Sequence, residues 1–170
     1  MTSTPQPGES ALLVRGGDGE VLDLPGGGEF GLLTDSEETG AALSASRLTL
    51  ADGADGALPH RHLRSTEFFY VLAGTAEFLL GDVIQSLGRG DFLVIPPGLP
   101  HAFGAARGLD TDLLIGITPG VQRFGYFRML QRVAKGQDSP EVLAQVQERY
   151  DVHLLDSASW QNARKGTFSG

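Results

Sequence analysis

LPHRHLRSTEFFYVLAG (residues 58–74) and GDFLVIPPGLPH (residues 90–101) are the two stretches on which the reading of this chain turns. Between them they carry His60, His62, Glu67 and His101. Residues two apart in an extended strand point to the same face, so His60 and His62 can reach one ion side by side. Glu67 lies five positions beyond His62, an offset that an unbroken strand would turn away from both. The segment from Leu63 to Thr66 must therefore contain a bend or bulge that re-aims the chain, a device frequent beside active sites. Imidazole nitrogens with one carboxylate oxygen suit a divalent transition ion better than Ca²⁺ or Mg²⁺. Any one of these histidines alone reads as a surface or hydrogen-bonded core residue. The set of four reads as one metal site.

Around that site the sequence reads as strands and tight turns. Glu67, Phe69 and Val71 share one face of a strand, and Phe68, Tyr70 and Leu72 share the other. Apolar residues on both faces predict a strand covered on both sides, and the outer face makes a homodimer an expectation. Gly81-Asp82 separates Thr75–Leu80 from Val83–Leu87 and signals a two-residue hairpin. Asp91–Ile95 runs into Pro96-Pro97-Gly98, where proline ends the ladder and glycine permits the turn that presents His101. Phe103, two beyond His101, should point the same way and wall the pocket. Asp112–Thr118 reads as the last long strand.

Upstream, residues 1–10 read as a flexible terminus. Ala11–Val14, Glu20–Leu24, Glu29–Thr34 and Ser46–Leu50 read as short strands. DSEETG (residues 35–40) reads as a solvated acidic turn, and no internal repeat is evident. Downstream of Pro119-Gly120, Val121, Phe124, Phe127 and Leu130 recur every third residue, which predicts a helix over 121–135 stopped by Gly136. Ser139, Pro140 and Glu141 open a second helix whose apolar stripe is Val142, Leu143, Val146 and Tyr150. Both stripes are expected to pack on the strands, and Arg128, Arg132 and Lys135 to face solvent. His153 is expected to be structural, and Trp160 to anchor the C-terminus.

Composition narrows the function classes. A chain of 170 residues suits one domain, here residues 11–170 with strands to about 119 and a helical segment over 120–170. A net charge of −8 argues against a nucleic-acid surface. The absence of cysteine removes disulfides, thiolate ligands and thiol nucleophiles. No apolar run approaches the roughly 18 residues that span a bilayer, and the N-terminus lacks a secretory pattern, so the expected location is cytoplasmic.

The spacing Gly-x5-His-x-His-x4-Glu-x6-Gly followed by Gly-x5-Pro-x-Gly-x2-His resembles the cupin superfamily. His60, His62, Glu67, Gly74, Gly90, Pro96, Gly98 and His101 carry it; Ala54 stands where the leading glycine would be and Ala105 replaces the asparagine that often closes the second motif, neither position being a ligand. The resemblance implies an all-β, antiparallel double-sheet jelly-roll barrel, followed here by two C-terminal α-helices, and one divalent ion (Ni, Mn, Fe or Co, with Zn a further candidate) held by His60, His62, Glu67 and His101. HRHLRSTEFFYVLAG, RFGYFRML and QERYDVHLLDSASW further resemble single-domain bacterial cupins of the quercetin 2,3-dioxygenase type. That implies a small aromatic flavonol and dioxygen as substrates, ring cleavage with loss of carbon monoxide, and no organic cofactor. Glu67 would be ligand and general base, its freed carboxylate raised in pKa by the apolar pocket. Phe69, Val71 and Phe103 would be pocket walls. A Lewis-acid cyclase or isomerase of aromatic polyketides and a non-catalytic small-molecule-binding module are the alternatives.

Overall fold

Residues 10–165 are described by a computed structural model of the chain. In chain order the strands are β1 (Glu20–Asp23), β2 (Gly28–Thr34), β3 (Ser44–Leu50), β4 (Asp55–Arg61), β5 (Thr66–Leu80), β6 (Val83–Gly88), β7 (Phe92–Ile95), β8 (His101–Ala105) and β9 (Thr111–Thr118). Helices α1 (Phe124–Ala134), α2 (Glu141–Gln145) and α3 (Gln147–Tyr150) follow, then β10 (His153–Leu154) and α4 (Ala158–Arg164). Residues 1–9 of the expected flexible terminus lie outside the described residues. No helix among the described residues is long and apolar enough to cross a membrane.

Strand β5 is the spine. Its first half pairs antiparallel with β9 and β7, placing Phe69 opposite Ile115 and Leu93. Its second half pairs with β8 and β6, placing Phe78 opposite Phe103 and Gln85. The strands run in the order β1-β2-β3-β9-β5-β8-β4-β10, with β6 and β7 attached to β5. The result is a curled antiparallel sheet in the form of a half-barrel. Gly74 stands where β5 changes partners, just past a register shift between Val71 and Ala73. Its φ is 70°, and a Cβ there would come within 1.8 Å of the Asp110 carbonyl oxygen, so only glycine fits. The predicted hairpin is present, with Leu80 opposite Val83 across Gly81-Asp82.

The concave face holds the core. Leu48, Phe69, Val71, Phe78, Phe103, Leu113 and Ile115 are buried together there. The Phe69 ring lies 5.0 Å from Phe78 and 4.9 Å from Phe103, both edge-on, the arrangement aromatic quadrupoles favour.

Four local expectations need correction. Residues 11–14 form no strand; Leu12 and Leu13 are exposed and have no neighbouring strand to complete a ladder. The outer face of β5 is only partly covered: Phe68 is half-buried over Gly116, and Tyr70 is 40 % exposed. Among the described residues the C-terminal segment has four helices where two were expected, because the second breaks at Val146 and α4 is added. The Ser157 side chain caps α4 by accepting from the Trp160 N–H at 3.2 Å, and Trp160 is buried against Leu79 and Ala102. Finally, residues 36–39 form a 3₁₀ turn, and Asp35 is buried rather than solvated.

Candidate metal centre

Strand β4 delivers His60, and the chain leaves the strand at His62 into a bend over residues 63–64. Past this bend β5 presents Glu67, so the break demanded by the five-residue offset is where the sequence required it. His101 opens β8 directly opposite His60. All four side chains are buried, and their candidate ligand atoms lie within 4.8 Å of one another. His153 is outside this cluster. It pairs with Arg61 in β10, and its Nε2 lies 3.5 Å from the Asp151 carboxylate.

Each histidine ring is oriented by a backbone carbonyl. His60 Nδ1 is 2.8 Å from the Leu58 oxygen, and His101 Nδ1 is 2.8 Å from the Leu99 oxygen. His62 Nδ1 is 2.6 Å from the Asp151 oxygen. A carbonyl only accepts, so each Nδ1 carries the hydrogen and each neutral ring turns its Nε2 lone pair inward. There, His62 Nε2 and His101 Nε2 lie 3.2 and 2.9 Å from Glu67 Oε2. Lone pairs facing a carboxylate at these distances need a cation or added protons between them. Three imidazole nitrogens and one carboxylate oxygen are the donor set a divalent transition ion takes, so the residues fit the group.

The electrostatics agree. Burial acts most strongly on His60, and the neighbouring His101 and His62 add to it, so His60 stays well below its usual 6.5 and remains a neutral ligand. For Glu67, burial taken alone raises the pKa. With added protons between the rings and the carboxylate in place of an ion, the charge of His62 and hydrogen bonds from His101 and His62 outweigh it and hold the carboxyl well below the usual range. The raised carboxyl expected from the sequence therefore requires Glu67 to leave the histidines.

Sequence reasoning missed three residues here. Asp151 ends α3 in the left-handed region at φ 53°, which aspartate tolerates. Its carbonyl holds His62, and its buried carboxylate accepts the N–H groups of Leu63 and Arg64 at 2.8 and 3.0 Å, fixing the bend. Arg123 is 6 % exposed, and its Nη1 lies 3.6 Å from Glu67 Oε1. Asp35 accepts the backbone N–H groups of Arg123 and Phe124 at 2.8 and 2.9 Å, securing the start of α1. Aspartate 88 residues away carries no local signal for any of this. The tripeptide Leu-Pro-His occurs at both 58–60 and 99–101, and it marks the two locally oriented histidines.

The site opens onto a cavity of about 180 Å³ between the sheet and the helices. His60, Glu67 and Arg123 line it together with Ser44, Ser46 and Tyr126, and Phe30, Leu48, Phe103, Ile115, Phe127 and Leu130 supply apolar walls. Helix α1 thus lines the cavity as well as packing on the sheet. Of the expected walls, Phe103 reaches the lining, and Gly56 makes room for its ring: a Cβ at Gly56 would come within 2.5 Å of it. Phe69 and Val71 pack in the core with Phe103 and are not among the lining residues.

Residues 46–114 match the family described as a cupin domain. A comparison with curated proteins finds no match. Among solved structures, an RmlC-like cupin from Shewanella frigidimarina is 23 % identical with a TM-score of 0.55, covering 69 % of this chain and 96 % of its own. The polyketide cyclase RemF from Streptomyces resistomycificus is 22 % identical with a TM-score of 0.53, covering 64 % and 79 %. A predicted oxalate decarboxylase from Thermotoga maritima is 21 % identical with a TM-score of 0.55, covering 62 % and 97 %. At these identities the likeness is one of fold. Residues 46–114 thus match the cupin-domain family, and the chain shares its fold with these cupin structures.

Proposed function

We propose that the protein is a metal-dependent dioxygenase that opens a flavonol-like aromatic substrate, with His60, His62, Glu67 and His101 as the ligands. The observation that carries this reading is a buried three-histidine, one-glutamate set bordering an apolar cavity. A divalent ion held there would supply Lewis acidity and a centre for dioxygen chemistry. The chain's own residues do the rest. Glu67 Oε2 faces His62 and His101, which leaves Oε1 on the cavity side to accept the proton of a substrate hydroxyl. Phe103, Ile115 and Phe127 exclude water and stack on or flank an aromatic body, with Phe69 and Val71 backing Phe103 from the core. The flavonolate supplies the electrons, so no organic cofactor is required. The two pairing halves of β5 are read as the two sheets of a jelly roll, and cytoplasmic location and a homodimer over the exposed Tyr70, Phe92 and Val94 complete the proposal.

The test is incubation of protein loaded with Ni, Mn, Fe or Co with quercetin in air. The flavonol absorption band should bleach and carbon monoxide should appear, and an intact flavonol panel with every metal overturns the assignment. Glu67→Gln should retain most of the metal and lose about 10²–10⁴-fold in turnover, and turnover at the wild-type rate would remove the base role. The Lewis-acid cyclase or isomerase is the second reading, supported by the fold shared with the polyketide cyclase RemF. The cavity is smaller than the roughly 300–1,000 Å³ usual for drug-sized ligands, so a three-ring flavonol needs α1 to move. Turnover of a poly-keto substrate without oxygen would decide for that reading.

A further inference from the structure

Arg123 is a buried cation whose hydrogen-bonding capacity is not filled among the described residues. The residue is 6 % exposed, and its Nε is buried without a hydrogen-bond partner among the described residues. Its nearest anion is Glu67 Oε1 at 3.6 Å, beyond hydrogen-bond length, and its guanidinium lies over the Phe127 ring at 5.2 Å from the centroid. A guanidinium offers five N–H donors in a rigid fork, and burying such donors without acceptors is costly. The fold nevertheless fixes the group in place. Asp35, itself buried, holds the backbone N–H groups of Arg123 and Phe124, so the first turn of α1 cannot swing the side chain out. The 3.6 Å approach to Glu67 Oε1 makes no hydrogen bond, so pairing with that carboxylate leaves the donors of the fork available. Arg123 also lines the cavity whose remaining walls are largely apolar.

We propose that Arg123 is the recognition residue for a planar oxyanion, a carboxylate or an ionised enol, on a ligand whose apolar body fills the cavity. The fork of Arg123 takes the anionic oxygens, Phe127 stacks beneath the guanidinium, and Asp35 is a positioning residue acting through the backbone. This inference rests on the reading of the cavity as a substrate site and deepens it by naming the charge and shape of the substrate head group. It predicts selectivity that is independent of the reaction catalysed: anions over neutral isosteres, and planar oxyanions over amines.

Equilibrium binding to chelator-treated protein tests this without turnover, using 1-naphthoate, its neutral amide, and quercetin above and below ionisation of its 3-hydroxyl. Wild-type protein should bind naphthoate about 10- to 100-fold more tightly than the amide, the range expected of charge-assisted hydrogen bonds in a buried site. Arg123→Met should lose that preference while binding the amide within about threefold of wild type, and Arg123→Lys should keep part of it. Asp35→Asn, which leaves the guanidinium in place and weakens its anchor, should reduce the preference by less than Arg123→Met. Equal affinity of wild-type protein for naphthoate and its amide, together with no gain in quercetin binding on ionisation of its 3-hydroxyl, overturns the proposal, and that result needs no variant to fold. Naphthoate preference that survives in a folded Arg123→Met protein overturns it as well. A preference confined to ionised quercetin assigns the fork to enols, and one confined to naphthoate assigns it to carboxylates. If quercetin is left intact by metal-loaded protein while the anion preference stands, the dioxygenase reading fails and this one does not. Bleaching of quercetin with no anion preference overturns the role of Arg123 and leaves the dioxygenase reading standing.

Discussion

The three histidines of the candidate centre are oriented in two different ways. His60 and His101 each donate Nδ1–H to the carbonyl two residues back in their own chain, within matching Leu-Pro-His corners. His62 donates to Asp151, 89 residues away, in a turn between α3 and β10. Two ligands are therefore oriented by the strands that carry them, and the third depends on the helical C-terminal segment docking against the bend. The difference separates what the curled sheet can assemble alone from what this chain's helices add. Ligands with local partners are pre-set by backbone geometry, whereas a remote partner makes metal affinity sensitive to the stability of a second packing unit.

The largest expected effect strikes the locally built side. His60→Ala or His101→Ala removes a ligand outright and should weaken metal binding by more than about 100-fold, beyond the effect usual for residues supporting a ligand. Metal analysis after dialysis checks this, and full occupancy in either variant would mean that residue is not a ligand.

Asp151→Ala attacks the remote side and should do less to the metal and more to the fold. It leaves the part-buried N–H groups of Leu63 and Arg64 without their acceptor, which should cost about 1–3 kcal/mol in denaturant unfolding. Loosening His62 should weaken metal binding about 10- to 100-fold. Unchanged affinity would show that the bend holds His62 without the C-terminal segment. Burial alone would raise the Asp151 pKa, but the Leu63 and Arg64 N–H groups and the Arg64 charge lower it below the ordinary carboxylate range. The pairing is therefore complete near neutral pH.

A smaller effect follows from His60. Its folded form resists a proton that the unfolded chain accepts, so below about pH 6.5 the unfolded state binds more protons and stability falls. Glu67, also depressed, adds to this only below its unfolded value near 4.5. The melting temperature of metal-free protein should therefore drop between about pH 7.5 and about pH 5.5, and a flat or rising profile would contradict the buried, neutral His60. The smallest effect belongs to His153→Ala. His153 contacts the centre only through Asp151, at 3.5 Å, so metal content should be unchanged and stability should fall by less than about 1 kcal/mol. Loss of metal in that variant would make His153 part of the site.

The sequence by itself determined what depends on local periodicity and spacing. His60 and His62 share a strand face because side chains alternate with period two, and the offset to Glu67 required the bend seen over residues 63–64. Gly81-Asp82 and Pro96-Pro97-Gly98 place the hairpin and the turn before His101 because their conformations are set within a few residues. The same locality misled at Ala11–Val14, an apolar run without a partner strand, and at DSEETG, whose acidic character hid a buried Asp35.

Only the tertiary structure decided how the site is supported and what it faces. Asp151 meets Leu63 across 88 positions, Asp35 meets Arg123 across 88, and His62 meets the Asp151 carbonyl across 89. Contacts of that range arise from the burial of helix faces against the curled sheet and leave no periodic trace in the chain. The same packing brings Arg123 to Glu67, lines the cavity with α1, and leaves Phe69 and Val71 in the core behind Phe103. A strand pattern fixes which side of the sheet a residue faces, and only the elements stacked on that side fix whether it meets a ligand, a neighbour or another side chain.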